Sequence, residues 1–320
     1  MKPIVLLILI SLAIPQAFYA QEPAAQKPDG PVVELSLIVT DKDRESLKTI
    51  SKDEVRIVED KVEQTVLSVE RDNRPIDYAV LIDSSNSLRR LLAAAVEAAR
   101  LIVTNRRGTD EIFIESFVSS DKIDTLHEFS TDTNSMLESL KKIRIEGGQS
   151  AVVDALYLGA QHVAEHNKAV PNRRKALVLI SDGEDRNSYY EFKQLLTLLR
   201  EKKIQVFAIG LVIDLDETTG FIQKSPREKA QKLLNTITEE TGGRVFYPKT
   251  PSELLKATAE VILDLRSQFR VTYQSPPNGK KGFRKVDVKL ISPNGERREA
   301  TAPRGYYVDG PSKSKEQKSQ

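Results

Sequence analysis

The sequence contains no cysteine, no tryptophan and only three histidines, His127, His162 and His166, among its 320 residues. Without cysteine the chain cannot form disulfides, thiolate zinc sites or iron–sulfur clusters, and it has neither a catalytic nor a lipidated N-terminal cysteine. With three imidazoles, catalytic chemistry that needs several histidines is hard to build. Any metal site is therefore expected to use oxygen ligands.

The sequence also has little net charge, since 48 Lys and Arg residues nearly balance 46 Asp and Glu residues, for a formal charge of +2. That balance argues against a strongly basic nucleic-acid-binding protein. The basic pairs are scattered and interleaved with acidic residues, as is typical of solvated surfaces. The hydrophobic fraction of 39% is enough for a packed core, so the composition is that of a folded protein of roughly two domains.

The N-terminus has the features of an export signal. Lys2 precedes an apolar run from Ile4 to Ile14, which is too short to span a membrane, and Ala20 offers a cleavage position. We expect residues 1–20 to be removed and the mature protein to be periplasmic, extracellular or on the cell surface, without a transmembrane segment. An uncleaved membrane anchor is the alternative.

Changes in the sequence pattern divide the rest of the chain. A polar, proline-containing linker is expected at 21–30, and alternating apolar residues predict a small N-terminal β module at 31–74. A C-terminal β segment at 266–308 is expected to pair with that module, because each flank alone is too short to bury a core. Between them lies a strand-and-helix segment at 75–265, and residues 309–320 are expected to be a disordered tail.

The segment 75–265 predicts a mostly parallel sheet with helices on both faces. The continuous apolar runs at 78–82 and 176–180 are typical of strands that are buried on both sides. Apolar residues at three- and four-residue steps predict a helix at 88–106, after the first run. This alternation of strand and helix indicates a Rossmann-like α/β fold, whose ligands bind at the carboxyl ends of the strands.

Oxygen-bearing side chains follow these predicted strands. Asp83, Ser85 and Ser87 stand at alternate positions after the first run, Asp182 follows the second, and Ser150 lies in a glycine-rich segment before a helix. Carboxylate and hydroxyl oxygens are suitable ligands for a hard cation such as Mg²⁺. For the first segment alone, the alternative is a simple helix cap provided by Ser87.

In this pattern the segment 75–265 resembles a von Willebrand factor type A domain with its metal-ion-dependent adhesion site. The D-x-S-x-S motif of that family matches DSSNS at 83–87, and its later Asp matches Asp182 in LISDG. Ser150 falls at the family's Thr position, so the hydroxyl is kept and a methyl group is lost. The resemblance implies that five side chains bind Mg²⁺, or Mn²⁺ or Ca²⁺ in its place: Asp83, Ser85, Ser87, Ser150 and Asp182.

The resemblance implies binding rather than catalysis. In sites of this family the metal keeps one coordination position for a carboxylate of a partner protein. We therefore interpret the chain as an exported, non-enzymatic module for protein binding or adhesion, and its flanks resemble those of bacterial exported proteins related to von Willebrand factor A. A metal-free scaffold in an envelope assembly is the second hypothesis. Tyr189 and Tyr190 are candidates either for contact with the partner or for the first turn of a helix.

A rival motif lies at the end of a predicted helix. The segment HVAEH at 162–166 fits H-x-x-E-H, the inverted zinc-protease pattern, and would place two histidines one helical turn apart. Glu239 or Glu240 would supply the third ligand. A zinc hydrolase is the third hypothesis, although a short motif also occurs by chance and the dipole of a helix favours histidine at its C-terminus.

Overall fold

A computed structural model describes residues 30–43, 47, 49–216, 224–277, 279, 281–292 and 295–308. The expected signal at 1–20, the linker up to residue 29 and the expected tail at 309–320 lie outside the described residues. Within the described ranges, no helix is both long enough and apolar enough to cross a membrane.

The described residues form fourteen strands and six α-helices. The first strands are β1 (Val32–Thr40), β2 (Val55–Glu59), β3 (Val62–Gln64) and β4 (Val66–Arg71). The central ones are β5 (Ile76–Asp83), β6 (Glu111–Ser119), β7 (Lys122–Ser130), β8 (Arg174–Ser181), β9 (Gln205–Gly210) and β10 (Val245–Phe246). The last are β11 (Phe269–Gln274), β12 (Gly282–Leu290), β13 (Glu299–Thr301) and β14 (Gly305–Val308). The helices are α1 (Leu92–Thr104), α2 (Thr133–Leu140), α3 (Val152–Ala169), α4 (Phe192–Lys202), α5 (Pro226–Thr241) and α6 (Pro251–Arg266).

The central strands form one sheet in the order β10-β9-β8-β5-β6-β7. Five of them run parallel, and only the edge strand β7 is antiparallel to its neighbour β6. Strand β5 lies inside the sheet and is buried along its whole length, as its continuous apolar sequence predicts. The predicted fold class, a mostly parallel sheet with helices on both faces, is confirmed.

Helices cover both faces of this sheet because successive strand residues point in opposite directions. On one face Val80 of β5 packs in a cluster with Ala95 of α1. On the other face Leu81 packs with Leu156 of α3 and Leu195 of α4. Full burial of each such leucine stabilises the fold by about 1.5–3 kcal/mol, and the two clusters together hold the edge of the sheet on which the site is built.

The flanking strands form two further antiparallel sheets, in the orders β13-β1-β11-β4 and β14-β12-β2-β3. Strand β1 pairs with β11 and strand β2 pairs with β12, so strands from before the central segment pair with strands from after it. The inner faces of both sheets share one apolar cluster, which includes Leu37, Ile57 and Val271. The α/β segment is therefore inserted between the strands of a single β module.

A buried ion pair within one sheet of the β module is joined by a hydrogen bond to the other sheet. Glu59 on β2 and Arg284 on β12 have side chains that are only 2% and 3% exposed, and their charged atoms are 2.9 Å apart. Tyr273, which belongs to the other sheet, donates a hydrogen bond of 2.7 Å to Glu59, and Tyr306 donates one of 3.0 Å. Burial alone would raise the pKa of Glu59, but these hydrogen bonds hold it below its ordinary value. The carboxylate is thus ionised at neutral pH.

Candidate functional site

The five residues singled out as metal ligands lie at the carboxyl edge of the central sheet. Asp83 ends β5, Ser85 and Ser87 follow it, and Asp182 follows the last residue of the neighbouring strand β8. Ser150 precedes α3 by two residues. The parallel pairing of β5 with β8 brings the ends of these two strands side by side, which is why residues a hundred positions apart meet here.

Asp83 is the centre of this arrangement. Its side chain is buried, and its Oδ1 accepts a hydrogen bond of 2.9 Å from the backbone amide of Ser85. Its Oδ2 accepts one of 3.1 Å from the Ser150 hydroxyl and one of 2.7 Å from the Ser181 hydroxyl. Three separate segments of the chain therefore converge on one carboxylate.

Ser85 and Ser87 stand next to each other on the same loop, with their hydroxyl oxygens 2.9 Å apart. The segment Asn86–Leu88 between β5 and α1 forms a short 3₁₀ turn, and α1 begins only at Leu92 with Leu91 as its N-cap. The alternative in which Ser87 caps the following helix is therefore wrong. Both hydroxyls instead face each other beside Asp83.

Asp182 is the second buried carboxylate. Its Oδ1 accepts a hydrogen bond of 2.9 Å from the Glu184 amide, whereas its Oδ2 is buried and has no hydrogen-bond partner within the described part of the chain. Burial and the neighbouring charge of Asp83 raise the pKa of Asp182 to about 6, and burial raises the pKa of Asp83 as well. Without a bound cation, the negative charges of the Asp83 and Asp182 carboxylates are therefore poorly compensated.

Gly183 determines the path of the chain directly after Asp182. Its φ is +75°, and a Cβ at this position would lie 2.7 Å from a methyl carbon of Leu234. Both facts favour glycine, since a side chain would be strained by the backbone angle and by the close contact. The turn lets the backbone leave the strand while the Asp182 carboxylate stays beside Asp83.

The chemistry of this donor set fits a hard divalent cation. The site contains two carboxylates and three hydroxyl groups, all oxygen donors of the kind that Mg²⁺, Mn²⁺ and Ca²⁺ accept. The unpartnered Asp182 Oδ2 is the acceptor that most needs a positive partner, because a buried polar atom without one costs free energy. A cation held by the five residues would supply that charge and polarise whatever occupied its remaining coordination positions.

Ser181 is a residue of the site that sequence reasoning missed. Its hydroxyl donates to Asp83 Oδ2 and accepts a hydrogen bond of 2.9 Å from the Gly183 amide. It therefore orients Asp83 and also fixes the turn after Asp182. The only signal in the sequence is a hydroxyl residue at the end of a buried strand, which becomes meaningful once that strand is known to lie beside β5.

A third buried acid, Asp154, holds the loop next to the site. Asp154, near the start of α3, accepts hydrogen bonds of 2.8 Å from the amides of both Tyr189 and Tyr190. The Tyr190 ring stacks on Tyr157 with 3.8 Å between the centroids, while Tyr189 is 84% exposed. Because α4 begins at Phe192, the alternative in which the two tyrosines form the first turn of a helix is wrong.

The histidines of the H-x-x-E-H motif have separate carboxylate partners. His162 Nε2 lies 2.9 Å from a carboxylate oxygen of Glu128, and His166 Nε2 lies 2.9 Å from one of Glu111. Both imidazole rings stack on Phe129. Each ring therefore fastens α3 to the strands beside it.

The third zinc ligand that the motif requires is absent from this place. Glu239 and Glu240 on α5 pair with Arg304 and Arg200 instead. Among the described residues, the only group with the spacing of a metal site is Asp77, Glu111 and His166, and it leaves His162 out. Asp77 is moreover paired with the guanidinium of Arg173, so the geometry does not favour a zinc hydrolase.

The raised pKa of Asp182 predicts how the stability of the metal-free protein depends on pH. The folded state keeps the Asp182 proton up to about pH 6, whereas an unfolded aspartate loses it near pH ~3.9. The folded state thus binds more protons between these values, and the free energy of unfolding should fall by up to about 2–3 kcal/mol as the pH rises through this window.

Urea unfolding at several pH values, with no divalent cation added, measures this dependence. Asp182→Asn carries no titrating group at this position, so its stability should fall less than that of the parent protein over the same window. Equal pH profiles for the parent protein and the variant would contradict the prediction.

Comparison with solved structures finds several similar proteins of low sequence identity. A von Willebrand factor type A protein from Catenulispora acidiphila matches with a TM-score of 0.51 and 10% identity, over 89% of this chain and 76% of that one. The conserved hypothetical protein BatB from Bacteroides thetaiotaomicron matches with a TM-score of 0.47 and 18% identity, over 60% of this chain and 100% of that one. The pilus adhesin SpaC from Lactobacillus rhamnosus GG matches with a TM-score of 0.46 and 10% identity, over 82% of this chain and 48% of that one.

The comparison of sequences gives a family. No curated protein matches the sequence. The family model for the von Willebrand factor type A domain matches residues 77–260, which is more than half of the chain and covers the strands of the central sheet except for Ile76, the first residue of β5. The chain therefore belongs to the von Willebrand factor type A domain family.

Proposed function

We propose that this protein is an exported, non-enzymatic binding module that attaches to a protein partner through a divalent cation. Domains of this family are in general interaction modules, and they often bind a divalent metal. The observation that carries the proposal is the unpartnered, buried Oδ2 of Asp182 beside the buried carboxylate of Asp83. Five side chains would hold the cation: Asp83, Ser85, Ser87, Ser150 and Asp182.

The proposed cation is Mg²⁺, with Mn²⁺ or Ca²⁺ as the alternatives. Mg²⁺ is usually bound by one or two carboxylates and keeps several waters. That pattern matches a site with two carboxylates whose other oxygen donors are neutral hydroxyls. The coordination position left to solvent would accept a carboxylate oxygen from the partner, so the proposed partner presents an Asp, a Glu or a chain terminus at its contact surface.

The residues around the site support binding rather than turnover. The three histidines, the usual general bases, are bonded elsewhere: His127 to Ser135, His162 to Glu128 and His166 to Glu111. On the loop next to the site, the backbone of the exposed Tyr189 is held in place by the hydrogen bond from its amide to Asp154. Exposed tyrosines on rigid backbone are frequent anchors of protein interfaces, and we propose that Tyr189 contacts the partner.

Calorimetric titration of the full chain with MgCl₂ tests the cation. The proposal expects one binding event per chain, which Asp182→Asn should remove. The absence of any binding of Mg²⁺, Mn²⁺ or Ca²⁺ would support the second hypothesis instead, a metal-free scaffold in an envelope assembly.

Affinity capture from an envelope extract, with Mg²⁺ or with EDTA, tests the partner. A specific partner should be retained with Mg²⁺ and released by EDTA, and the Asp182→Asn protein should not retain it. Equal retention under all three conditions would overturn the cation-dependent mode of binding.

Substitutions at Ser150 test the loss of a neutral hydroxyl ligand, whereas Asp182→Asn tests the loss of a charged one. Ser150→Ala should weaken Mg²⁺ binding by ~10–100-fold, in the range known for disturbed metal-site shells, since water can replace a neutral ligand. Ser150→Thr should bind Mg²⁺ as tightly as the parent protein or more tightly, because a β-branched side chain holds its hydroxyl in fewer rotamers. Calorimetry measures both affinities. Unchanged Mg²⁺ affinity in the Ala variant would mean that the Ser150 hydroxyl is not a ligand.

A further inference from the structure

A cavity of about 570 Å³ lies between α3 and the strands β6 and β7, and it shares no lining residue with the candidate metal site. Its lining combines polar side chains with apolar ones, which include Phe113, Ile123, Leu158 and Leu198. A volume of this size is typical of sites for small ligands. Nothing in the binding function proposed above requires this cavity.

Of the polar side chains that line the cavity, only that of Glu115 is buried. On β6 it points to the same side of the sheet as Phe113 and Phe117, both of which belong to the apolar core. Glu115 is itself only 4% exposed, and its Oε1 has no hydrogen-bond partner within the described part of the chain. Such an atom is rare in native proteins, because a buried acceptor without a donor costs about 1–3 kcal/mol.

The basic groups nearby do not neutralise this carboxyl. At the mouth of the cavity, Lys168 forms an ion pair with Glu165, and the ring of His162 is bonded to Glu128. In the described residues, Glu115 forms no ion pair of its own. Burial and the neighbouring charge of Asp124 accordingly raise the pKa of Glu115 to about 8.

We propose that this cavity binds a small organic cation of the alkylammonium class, whose ammonium group donates hydrogen bonds to Glu115. An ammonium ion supplies both the donor that Oε1 lacks and the charge that an ionised carboxylate needs in an apolar site. The aliphatic chain of the ligand packs against Leu158 and Leu198.

Calorimetric titration of the full chain with n-pentylammonium at pH 7 and at pH 9 tests this proposal. With a pKa of about 8, about a tenth of Glu115 is ionised at pH 7 and about nine tenths at pH 9, so affinity should rise about tenfold between them. The other charged or titratable groups that line the cavity are Glu165, Lys168 and His162 on α3 and Lys202 on α4, and Asp124 on β7 acts on Glu115 through its charge. The Glu115→Gln variant leaves all of them in place, so it isolates the contribution of Glu115.

At pH 9 the Glu115→Gln protein should bind n-pentylammonium at least about tenfold more weakly than the parent protein, since it cannot ionise. Glu138→Gln, an exposed change on α2, should leave the affinity unchanged. Thr125→Trp, which fills the mouth of the cavity from β7, should block binding and serves as the second variant if Glu115→Gln does not fold. Mg²⁺ binding should be the same in all of these variants, which keeps this result separate from that of the proposed function.

Three outcomes would overturn the proposal. The first is no saturable binding by the parent protein at millimolar n-pentylammonium. The second is equal affinity in the parent and Glu115→Gln proteins at pH 9. The third is tighter binding of pentanoate than of n-pentylammonium, because the cavity would then select an anion through Lys168 and Lys202 at its mouth.

Discussion

Replacing Asp83 with asparagine should abolish measurable Mg²⁺ binding. The change removes the charge at the point where Ser85, Ser150 and Ser181 converge, and the loss should exceed the ~10–100-fold effects of altering groups around a metal. Folding should survive, because the asparagine oxygen can still accept from the Ser85 amide and the two serine hydroxyls can turn to accept from its amino group. Calorimetry with MgCl₂, together with thermal unfolding of the metal-free protein, measures both effects.

The control for this change is Asp121→Asn, at an exposed carboxylate in the turn between β6 and β7 at the same edge of the sheet. It should leave Mg²⁺ binding unaltered. The melting temperature of metal-free Asp83→Asn should equal or exceed that of the parent protein, since burial makes the charged form of Asp83 costly. If the Asp83→Asn protein bound Mg²⁺ as tightly as the parent protein, the assignment of these residues as a metal site would be wrong.

Replacing Arg284 with methionine should lower the free energy of unfolding by about 3–5 kcal/mol. The substitution leaves Glu59 buried with no cation at 2.9 Å, and an uncompensated buried charge is among the most costly single defects. The tyrosine hydroxyls of Tyr273 and Tyr306 would still donate to the carboxylate, but they bring no charge. Urea unfolding at pH 7 gives the change in free energy.

The matched control is Arg270→Met, which breaks an exposed ion pair with Glu70 in the same β module. Exposed pairs contribute about 0–1 kcal/mol, so this variant should be nearly as stable as the parent protein. The double variant Glu59→Gln with Arg284→Met should recover part of the loss, since it leaves no charge unpaired. Equal stability losses for Arg284→Met and Arg270→Met would contradict the importance of burial.

Much of the fold could be predicted because the local signals agree with the global arrangement. The apolar run at 78–82 has no alternation and is buried on both sides, and the observed strand extends it only to Ile76 and Asp83. The helix predicted at 88–106 is shorter, beginning at Leu92, because a 3₁₀ turn carries the chain away from the site first. The resemblance to a known family was needed to connect Ser150 with Asp83, since no local pattern does so.

What could not be predicted depends on contacts between distant segments. The role of Ser181 follows from the pairing of β5 with β8, and the network of Glu59 follows from the packing of two sheets formed by both flanks of the chain. Glu115 is a further example, because the sequence around it reads as an ordinary strand. Its significance comes from a missing hydrogen-bond partner, and single-sequence reasoning cannot detect a missing contact.

The insertion of the α/β segment into the β module has a consequence for the order of folding during synthesis. Strand β4 ends at Arg71 and its partner β11 begins at Phe269, so translation at ~5–20 residues per second separates them by roughly 10–40 s. All six strands of the central sheet lie between these two residues, so that sheet can form before β11 is available to pair with β4. Its completion brings the two chain ends of the α/β segment together and closes a long loop, whose entropy cost would otherwise fall on the β module. A destabilising substitution in the α/β core should therefore first leave the edges of β1 and β4 unpaired, and unpaired strand edges are prone to aggregation.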